Sequence, residues 1–401
     1  MTVAVVPEFS LAERERRWNL ARSFMQDQNI DALLVIGEHE DAGPAPFRFD
    51  NWLTNDAPGA VVVFPRDADP VSLAWFPADP AEDVRRGTVP WLAPGNRRTG
   101  LRHSRGVVGV LDQLGLSQAT IGVAGLDPYL PYLPEGSVPY GLWDGIRHGC
   151  ANARFVPVGL MLGRAMMPQS DEELAVIRHS ARIGDEMAEA MLAAAVPGAT
   201  ESDVFTAGMA AAHRRGAIVP GLHLATGPQP LELGLPRWSY RPEPPLILSD
   251  GDVVRSEVFC NFGLRDTQHQ VTIAIGRVHE DYDRAEDIAR QSYDAGLRAL
   301  RPGQTFAEVV SQMRKPLETS GANAPRYPLI HSLNPIDAIG GGSLLVGGDL
   351  QLEPGMTFAL EPHCILGHRR VSLGGTVVVG KADAVELNPY TARLLRADDR
   401  A

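Results

Sequence analysis

Several apolar runs in the C-terminal half of the chain each carry a polar side chain able to move a proton. Glu257 lies in Val253-Val254-Arg255-Ser256-Glu257-Val258-Phe259, and Glu361 and His363 end the run from Met356 to His363. His331 follows Tyr327-Pro328-Leu329-Ile330, and Gln268, His269 and Gln270 lead into Val271-Thr272. A carboxylate held in an apolar strand is partly desolvated, which raises its pKa toward the range useful for general acid or base work. Imidazole titrates nearest neutrality and is the natural second proton carrier. Glu257, His331, Glu361 and His363 are therefore the candidate catalytic residues. With a strand period of two, Gln268 and Gln270 face one way and His269 the other, and Glu361 shares a face with His363 if the strand runs through Pro362. Each residue also has a plainer reading, as a carboxylate paired with arginine or a hydrogen-bonded core histidine. His39, His103, His148, His179, His213 and His279 sit in loop or helix-surface contexts and are set aside. The run Gly340-Gly341-Gly342 has neither a GxxxxGK[ST] pattern nor a strand-linked GxGxxG, so it is no phosphate cradle.

These residues need a sheet to present them. Strand runs appear at Leu222–Thr226, Val253–Asn261, Gln270–Ile275, Thr357–Leu360 and Val377–Val379. Ser170 and Glu173 form a capping box that starts a long helix ending at Pro197-Gly198. A repetition follows: Pro197-Gly198-Ala199-Thr200 and the helical stretch from Glu201 to Arg215 resemble Pro302-Gly303-Gln304-Thr305 and the stretch from Phe306 to Ser320. Each places Thr as an N-cap after a Pro-Gly break, the mark of an internal duplication. Two helix pairs with strands in each half predict a curved antiparallel sheet around a pocket, with helices outside, so the class is α+β. The N-terminal half alternates helix (Leu11–Gln28, Val107–Leu114) and strand (Ala32–Ile36, Ala60–Phe64, Ser72–Phe76, Ala119–Val123), as a smaller α/β domain does. The Pro- and Gly-rich stretch from Asp127 to Gly149 reads as loop. The reading divides the chain into domains at 1–160 and 161–401.

The whole chain has 401 residues, 37 Lys plus Arg against 49 Asp plus Glu, and a net charge of −12. That length allows more than one core, and the acidity without any basic block removes the electrostatic drive toward nucleic acid or anionic membranes. No run is long and apolar enough for a membrane span, and the start from Met1 to Glu8 lacks a basic signal segment, so a cytoplasmic enzyme is expected. Cys150, Cys260 and Cys364 are far apart with no CxxC pair, which points to buried hydrophobes rather than a disulfide framework or thiolate zinc site.

Three segments carry a family resemblance. Gln169-Ser170-x-x-Glu173-Leu174-x-x-Ile177-Arg178, Ser249-Asp250-Gly251-Asp252-Val253-Val254, and Leu352-Glu353-Pro354-Gly355-Met356-Thr357-Phe358-x-x-Glu361-Pro362 resemble the creatinase, prolidase and methionine aminopeptidase superfamily. Asp31-Ala32-Leu33-Leu34-Val35 and Asn51-Trp52-Leu53-Thr54 look like the smaller N-terminal domain of its two-domain members. The resemblance implies a pita-bread catalytic domain of two pseudo-symmetric halves. It also implies a homodimer whose small domain covers the partner's site, with Phe47–Trp52 supplying contacts.

Metallopeptidases of this superfamily hold two divalent ions through two Asp, one His and two Glu. On this resemblance the positions read Glu257, Gln268, His331, Glu361 and Gly374, so bridging carboxylates are missing and no metal cofactor is expected. A single ion would need His269 to join Glu257, His331 and Glu361. The chain is similar to the metal-poor branch, in which creatinase and its relatives hydrolyse C–N bonds of small metabolites with carboxylates and histidine. It departs from creatinase at Trp238-Ser239-Tyr240-Arg241, where that enzyme has its acid/base His, and at Gln270, where it has a Glu. The leading expectation is a metal-independent hydrolase of a small polar nitrogen-containing metabolite. Gln268 and Gln270 would hold a substrate amide or carboxylate, Trp238 and Tyr240 a cationic nitrogen, and Arg241 with Arg237 a carboxylate. The alternatives are a divergent metal-dependent Xaa-Pro peptidase, a lyase on the same scaffold, and a non-catalytic binding protein.

Overall fold

The computed structural model describes residues 6–37, 48–74, 80–128, 135–322, 328–342 and 344–397. These residues fall into two compact units, one from Glu8 to Met167 and one from Pro168 onward that also takes in Val6 and Pro7. In the first unit the elements are α1 (Leu11–Asp27), β1 (Ala32–Ile36), α2 (Phe49–Thr54), β2 (Val61–Pro65), β3 (Val71–Ala74), α3 (Pro80–Arg86), β4 (Arg97–Thr99), α4 (Ser104–Gln113), β5 (Thr120–Ala124), α5 (Tyr140–Gly149), β6 (Arg154–Pro157) and α6 (Gly159–Met166). Among the described residues they build a six-stranded mixed sheet of order β4-β3-β2-β1-β5-β6. β1 is apolar and buried at every position, as a central strand covered on both faces requires.

Two readings change here. The stretch expected to be loop contains α5, whose glycines serve packing: a Cβ on Gly145 would lie 2.5 Å from Ser104 Oγ, and one on Gly149 2.5 Å from Val108 Cγ2. Glycine lets α5 press against α4, and that contact outweighs its low helix propensity. Within the run Phe47–Trp52, the rings of Phe49 and Trp52 are turned into the unit rather than outward. Phe47 lies outside the described residues, as do Trp75 and Phe76 of the third strand run, while Phe49 and Trp52 are fully buried in the core of the unit.

The second unit contains α7 (Asp171–Ala194), α8 (Glu201–Arg214), β7 (Ile218–Gly227), β8 (Val253–Phe262), β9 (Arg265–Ala274), α9 (Asp281–Ala299), α10 (Phe306–Thr319), β10 (Ile330–Ser332), β11 (Gly340–Gly341), β12 (Leu345–Val346), β13 (Thr357–Leu360), β14 (His363–Leu366), β15 (Arg369–Ser372), β16 (Gly374–Val379), β17 (Ala384–Glu386) and β18 (Leu395–Arg396). Its main sheet runs β12-β11-β10-β13-β16-β9-β8-β7, with β17 on β16 and β18 on β9; β14 and β15 form a separate hairpin. The main path is antiparallel throughout. Ser170 caps α7 with the expected box, and Thr200 and Thr305 cap α8 and α10 in the same way. The repetition extends to isolated bridges, Thr200 with Ile247 and Thr305 with Gln351. The two halves thus solve the same local problem identically, one helix pair each.

Ile183, Met187 and Met191 of α7 pack with Val254 and Val258 of β8 and Val271 and Ile273 of β9. The alternation of a strand then sends Arg255 and Glu257, and Gln268, Gln270 and Thr272, to the opposite face, away from α7.

Candidate active site

On that opposite face β8 and β9 pair Glu257 with Gln270. Glu361 follows β13, where Pro362 ends the strand and His363 begins the separate hairpin, so the two do not continue one strand. The Gln268 side-chain amide donates to Glu257 Oε1 at 2.5 Å and to Glu361 Oε2 at 2.7 Å, and Gln270 Nε2 donates to the same Glu361 oxygen at 2.7 Å. His331, on β10, places Nε2 3.6 Å from Glu361 Oε1. Its Nδ1 lies 2.6 Å from Asp337 Oδ1 and 3.0 Å from the Ser332 carbonyl, which assigns the Nδ1 proton to donation toward these acceptors. His223 of β7 sits opposite Glu257 in register, with Nδ1 3.3 Å from Glu257 Oε2.

The two carboxyl groups are pushed apart. Burial drives Glu361 up to about 8, and the nearby Glu257 charge adds to this against the pull of His331. Burial also penalises the Glu257 anion, but His223, His331 and Arg370 together outweigh it and hold this carboxyl below its ordinary value. His331 loses to desolvation but gains more from Asp337 and Glu361, so the imidazole rises to about 10. The arrangement thus holds the Glu257 carboxyl below its ordinary value, the Glu361 carboxyl above it, and the His331 imidazole, backed by Asp337, above its own, with His331 and Glu361 each acting on the other. Divergent neighbouring groups of this kind are what assign acid and base roles.

His363 is a poor proton carrier. Desolvation, and then the charges of Arg370 and Arg255, depress it well below its ordinary value, while a bond to the Pro328 carbonyl opposes this. Its Nδ1 is 2.7 Å from Ser372 Oγ and 3.1 Å from Arg370 Nη2. A guanidinium only donates, so Nδ1 is the acceptor and the ring is neutral.

Other candidates lie elsewhere. His269 points to the helix layer: Nε2 is 3.2 Å from the Ala181 carbonyl and 3.6 Å from Asp185 Oδ1, and the ring fills the gap left by Gly184, where a Cβ would come within 1.9 Å of it. Burial lowers its pKa to about 4, so it is a neutral core histidine and cannot join Glu257, His331 and Glu361 around an ion. Trp238 packs edge-on against Phe205 of α8 at 6.1 Å, on the core side of the sheet. Tyr240 is exposed with Arg241 over its ring, and Arg237 pairs with Glu243 at 2.6 Å. The pocket wall and carboxylate anchor expected from this segment are therefore not at the site, because the loop turns outward rather than over the sheet.

Sequence reading passed over His223, Asp337, Arg255, Arg370 and Ser372. Arg255 carried a signal, two residues from Glu257 in a strand and hence on its face. His223 depends on cross-strand register and Asp337 on an irregular segment after β10, and neither leaves a local pattern.

The donor set does not match a dinuclear centre. The Gln268 amide spans the two carboxylates with N–H donors, and Gly374 has φ +113°, with a Cβ there only 2.0 Å from the Leu360 carbonyl. That backbone has no room for a carboxylate side chain. Among the described residues no group of three or more His, Cys, Asp or Glu is placed to hold an ion.

Residues 175–381 match metallopeptidase family M24. No curated protein matches the chain in sequence. Among solved structures, the dipeptidase PepE from Mycobacterium ulcerans is similar at 18% identity and TM-score 0.72, covering 97% of this chain and 99% of that one. The Xaa-Pro dipeptidase from Bacillus anthracis is similar at 17% and 0.72, covering 96% and 99%. An Escherichia coli aminopeptidase P variant is similar at 17% and 0.68, covering 98% and 97%. At these identities the likeness speaks for the fold, the pita-bread sheet with its preceding small domain.

Proposed function

The chain belongs to metallopeptidase family M24 and carries its hydrolase fold, and from that premise we propose that it hydrolyses an amide-type C–N bond in a small polar nitrogen-containing molecule without a metal ion. One observation carries this reading: the Gln268 amide donates to both Glu257 and Glu361, filling with neutral N–H groups the place where anionic oxygens would have to separate two cations.

In this reading Glu257 is the general base. It takes a proton from water as the oxygen attacks the carbonyl carbon. The His331 imidazolium, held by Asp337, stabilises the negative charge that develops on the carbonyl oxygen. The Glu361 acid gives its proton to the leaving nitrogen as the C–N bond breaks, and the proton held by Glu257 then restores Glu361 through solvent. An acid and an amine leave, with water the only reagent consumed. Gln268 and Gln270 fix both carboxyl groups and add no charge. His363, neutral and tied to Ser372, is a positioning residue.

A cytoplasmic homodimer belongs to the same proposal; among the described residues no helix is long and apolar enough to cross a membrane. A metal-dependent Xaa-Pro peptidase is the competing reading, favoured by the likeness to an Xaa-Pro dipeptidase and an aminopeptidase P. A panel of small N-acyl amides and Xaa-Pro dipeptides, assayed before and after exhaustive chelation, separates the two. The expected result is turnover of a small amide, unchanged by chelation. Turnover confined to Xaa-Pro dipeptides, lost on chelation and restored by Mn²⁺ or Zn²⁺, contradicts it.

A further inference from the structure

One imidazole at the site keeps a ring nitrogen open. His223, Glu257 and Gln270 form a row across β7, β8 and β9 on the face away from α7, because His223 pairs in register with Glu257 and Glu257 with Gln270. β7 ends the main path of the sheet, and the His223 end of the row meets solvent: its side chain is 30% exposed and that of Glu257 20%, against 11% for His331 and 5% for Glu361. The ring is held by its Nδ1, 3.3 Å from Glu257 Oε2, and by an edge-on contact with Phe259 at 5.8 Å. Its Nε2 has no hydrogen-bond partner among the described residues. Both nitrogens of His331, by contrast, face a carboxyl group, Nδ1 that of Asp337 and Nε2 that of Glu361.

An ionised carboxylate only accepts, so the hydrogen between His223 and Glu257 belongs to Nδ1, and the neutral ring then keeps a lone pair on Nε2. Two more acceptors near Glu257 lack a donor. Gln268 Nε2 is engaged by Glu257 and Glu361, and Gln270 Nε2 by Glu361, which turns both amide carbonyls away from the carboxyl groups. The Oε1 of each is buried with no partner among the described residues. A buried acceptor without a donor is costly, and an N–H from a ligand relieves that cost. The protein's own amide donors are all directed at carboxyl oxygens, while three neutral acceptors stay unpaired. The group that complements them is an N–H donor.

We propose that His223 is a specificity-determining residue whose Nε2 accepts an N–H of the substrate beside Glu257, with the Gln268 and Gln270 carbonyl oxygens as further acceptors. This rests on the hydrolase reading and narrows its substrate to amides that present N–H groups. A fully N-alkylated amide leaves these acceptors unpaired and is disfavoured.

Calorimetric titration with N-acetylglycinamide and with its fully N-methylated form, both uncharged, tests the assignment without requiring turnover. The N–H compound binds at least about tenfold more tightly to the wild-type protein. His223→Phe, which keeps a flat ring but has no acceptor, abolishes that preference, and His223→Gln, which restores a side-chain acceptor, retains it. In nitrogen-labelled protein the His223 Nε2 resonance is that of an unprotonated nitrogen, and it moves with N-acetylglycinamide but not with the methylated compound. Equal affinity for the two compounds, failure of both to bind, a preference that survives His223→Phe in a folded variant, or an Nε2 resonance that responds to neither overturns the assignment. The wild-type comparisons stand even where a variant does not fold. N–H-selective binding without hydrolysis of any amide keeps the assignment and sinks the hydrolase reading instead, and hydrolysis without such selectivity does the reverse.

Discussion

Glu361→Gln lowers turnover of the responsive amide by about 10²–10⁴-fold, the contribution expected of a positioned general acid. Gln is close in shape and can keep its contacts with Gln268 and Gln270, so binding changes much less than rate. The pH profile carries the sharper signature. Burial places the Glu361 carboxyl at about 8, so the acid form prevails below that pH and is lost as pH rises through it. Wild-type kcat/KM falls on this alkaline side, and the residual rate of the variant does not follow that fall. An unchanged alkaline limb in Glu361→Gln would assign it to another group and remove Glu361 from the acid role.

Glu257→Gln has an effect of similar size, about 10²–10⁴-fold on kcat, by removing the base. It also acts on Glu361. The Glu257 anion helps to raise the Glu361 pKa, so neutralising it lets that carboxyl ionise at lower pH. Infrared titration of the carboxyl band in Glu257→Gln therefore shows the Glu361 transition below its wild-type position. A transition that stays in place or rises would mean that the two carboxyl groups do not sense one another. On the acid side the wild-type rate persists below the ordinary carboxylate range, since His223, His331 and Arg370 keep Glu257 ionised against the cost of burial.

Much of the scaffold was readable from local pattern. β1 and β13 lie where their apolar runs predict, and the Ser170 and Glu173 pair caps α7 as its spacing requires. The helix from Tyr140 was not readable, because glycines that look like loop residues in isolation gain their place from contact with α4. The site shows the same division. Strand period separates His269 from Gln268 and Gln270, but three consecutive polar residues give no hydrophobic cue to which face is inward. That choice is set by the gap at Gly184, far away in sequence. Trp238 and Tyr240 failed as pocket residues because the course of a loop is fixed by tertiary contacts, here Phe205 for Trp238. Asp337 reaches His331 only because the segment after β10 folds back, and Arg370 reaches His363 only across the β14–β15 hairpin.

Gln268 and Gly374, at positions where the family resemblance implies metal-binding carboxylates, each have a distinct structural setting. At Gln268 the side-chain amide bridges the Glu257 and Glu361 carboxyl groups. At Gly374 the backbone holds a positive φ that only glycine adopts readily, and a Cβ there would meet the Leu360 carbonyl. Neither position is a ligand awaiting reversal by a single mutation.

The most direct test is elemental analysis of protein purified without chelators, run on the same sample that hydrolyses the amide. Full turnover with far less than one equivalent of zinc, manganese, iron or cobalt per chain is the expected result. A pair of dications per chain, removed together with activity and returned together with it, would contradict it.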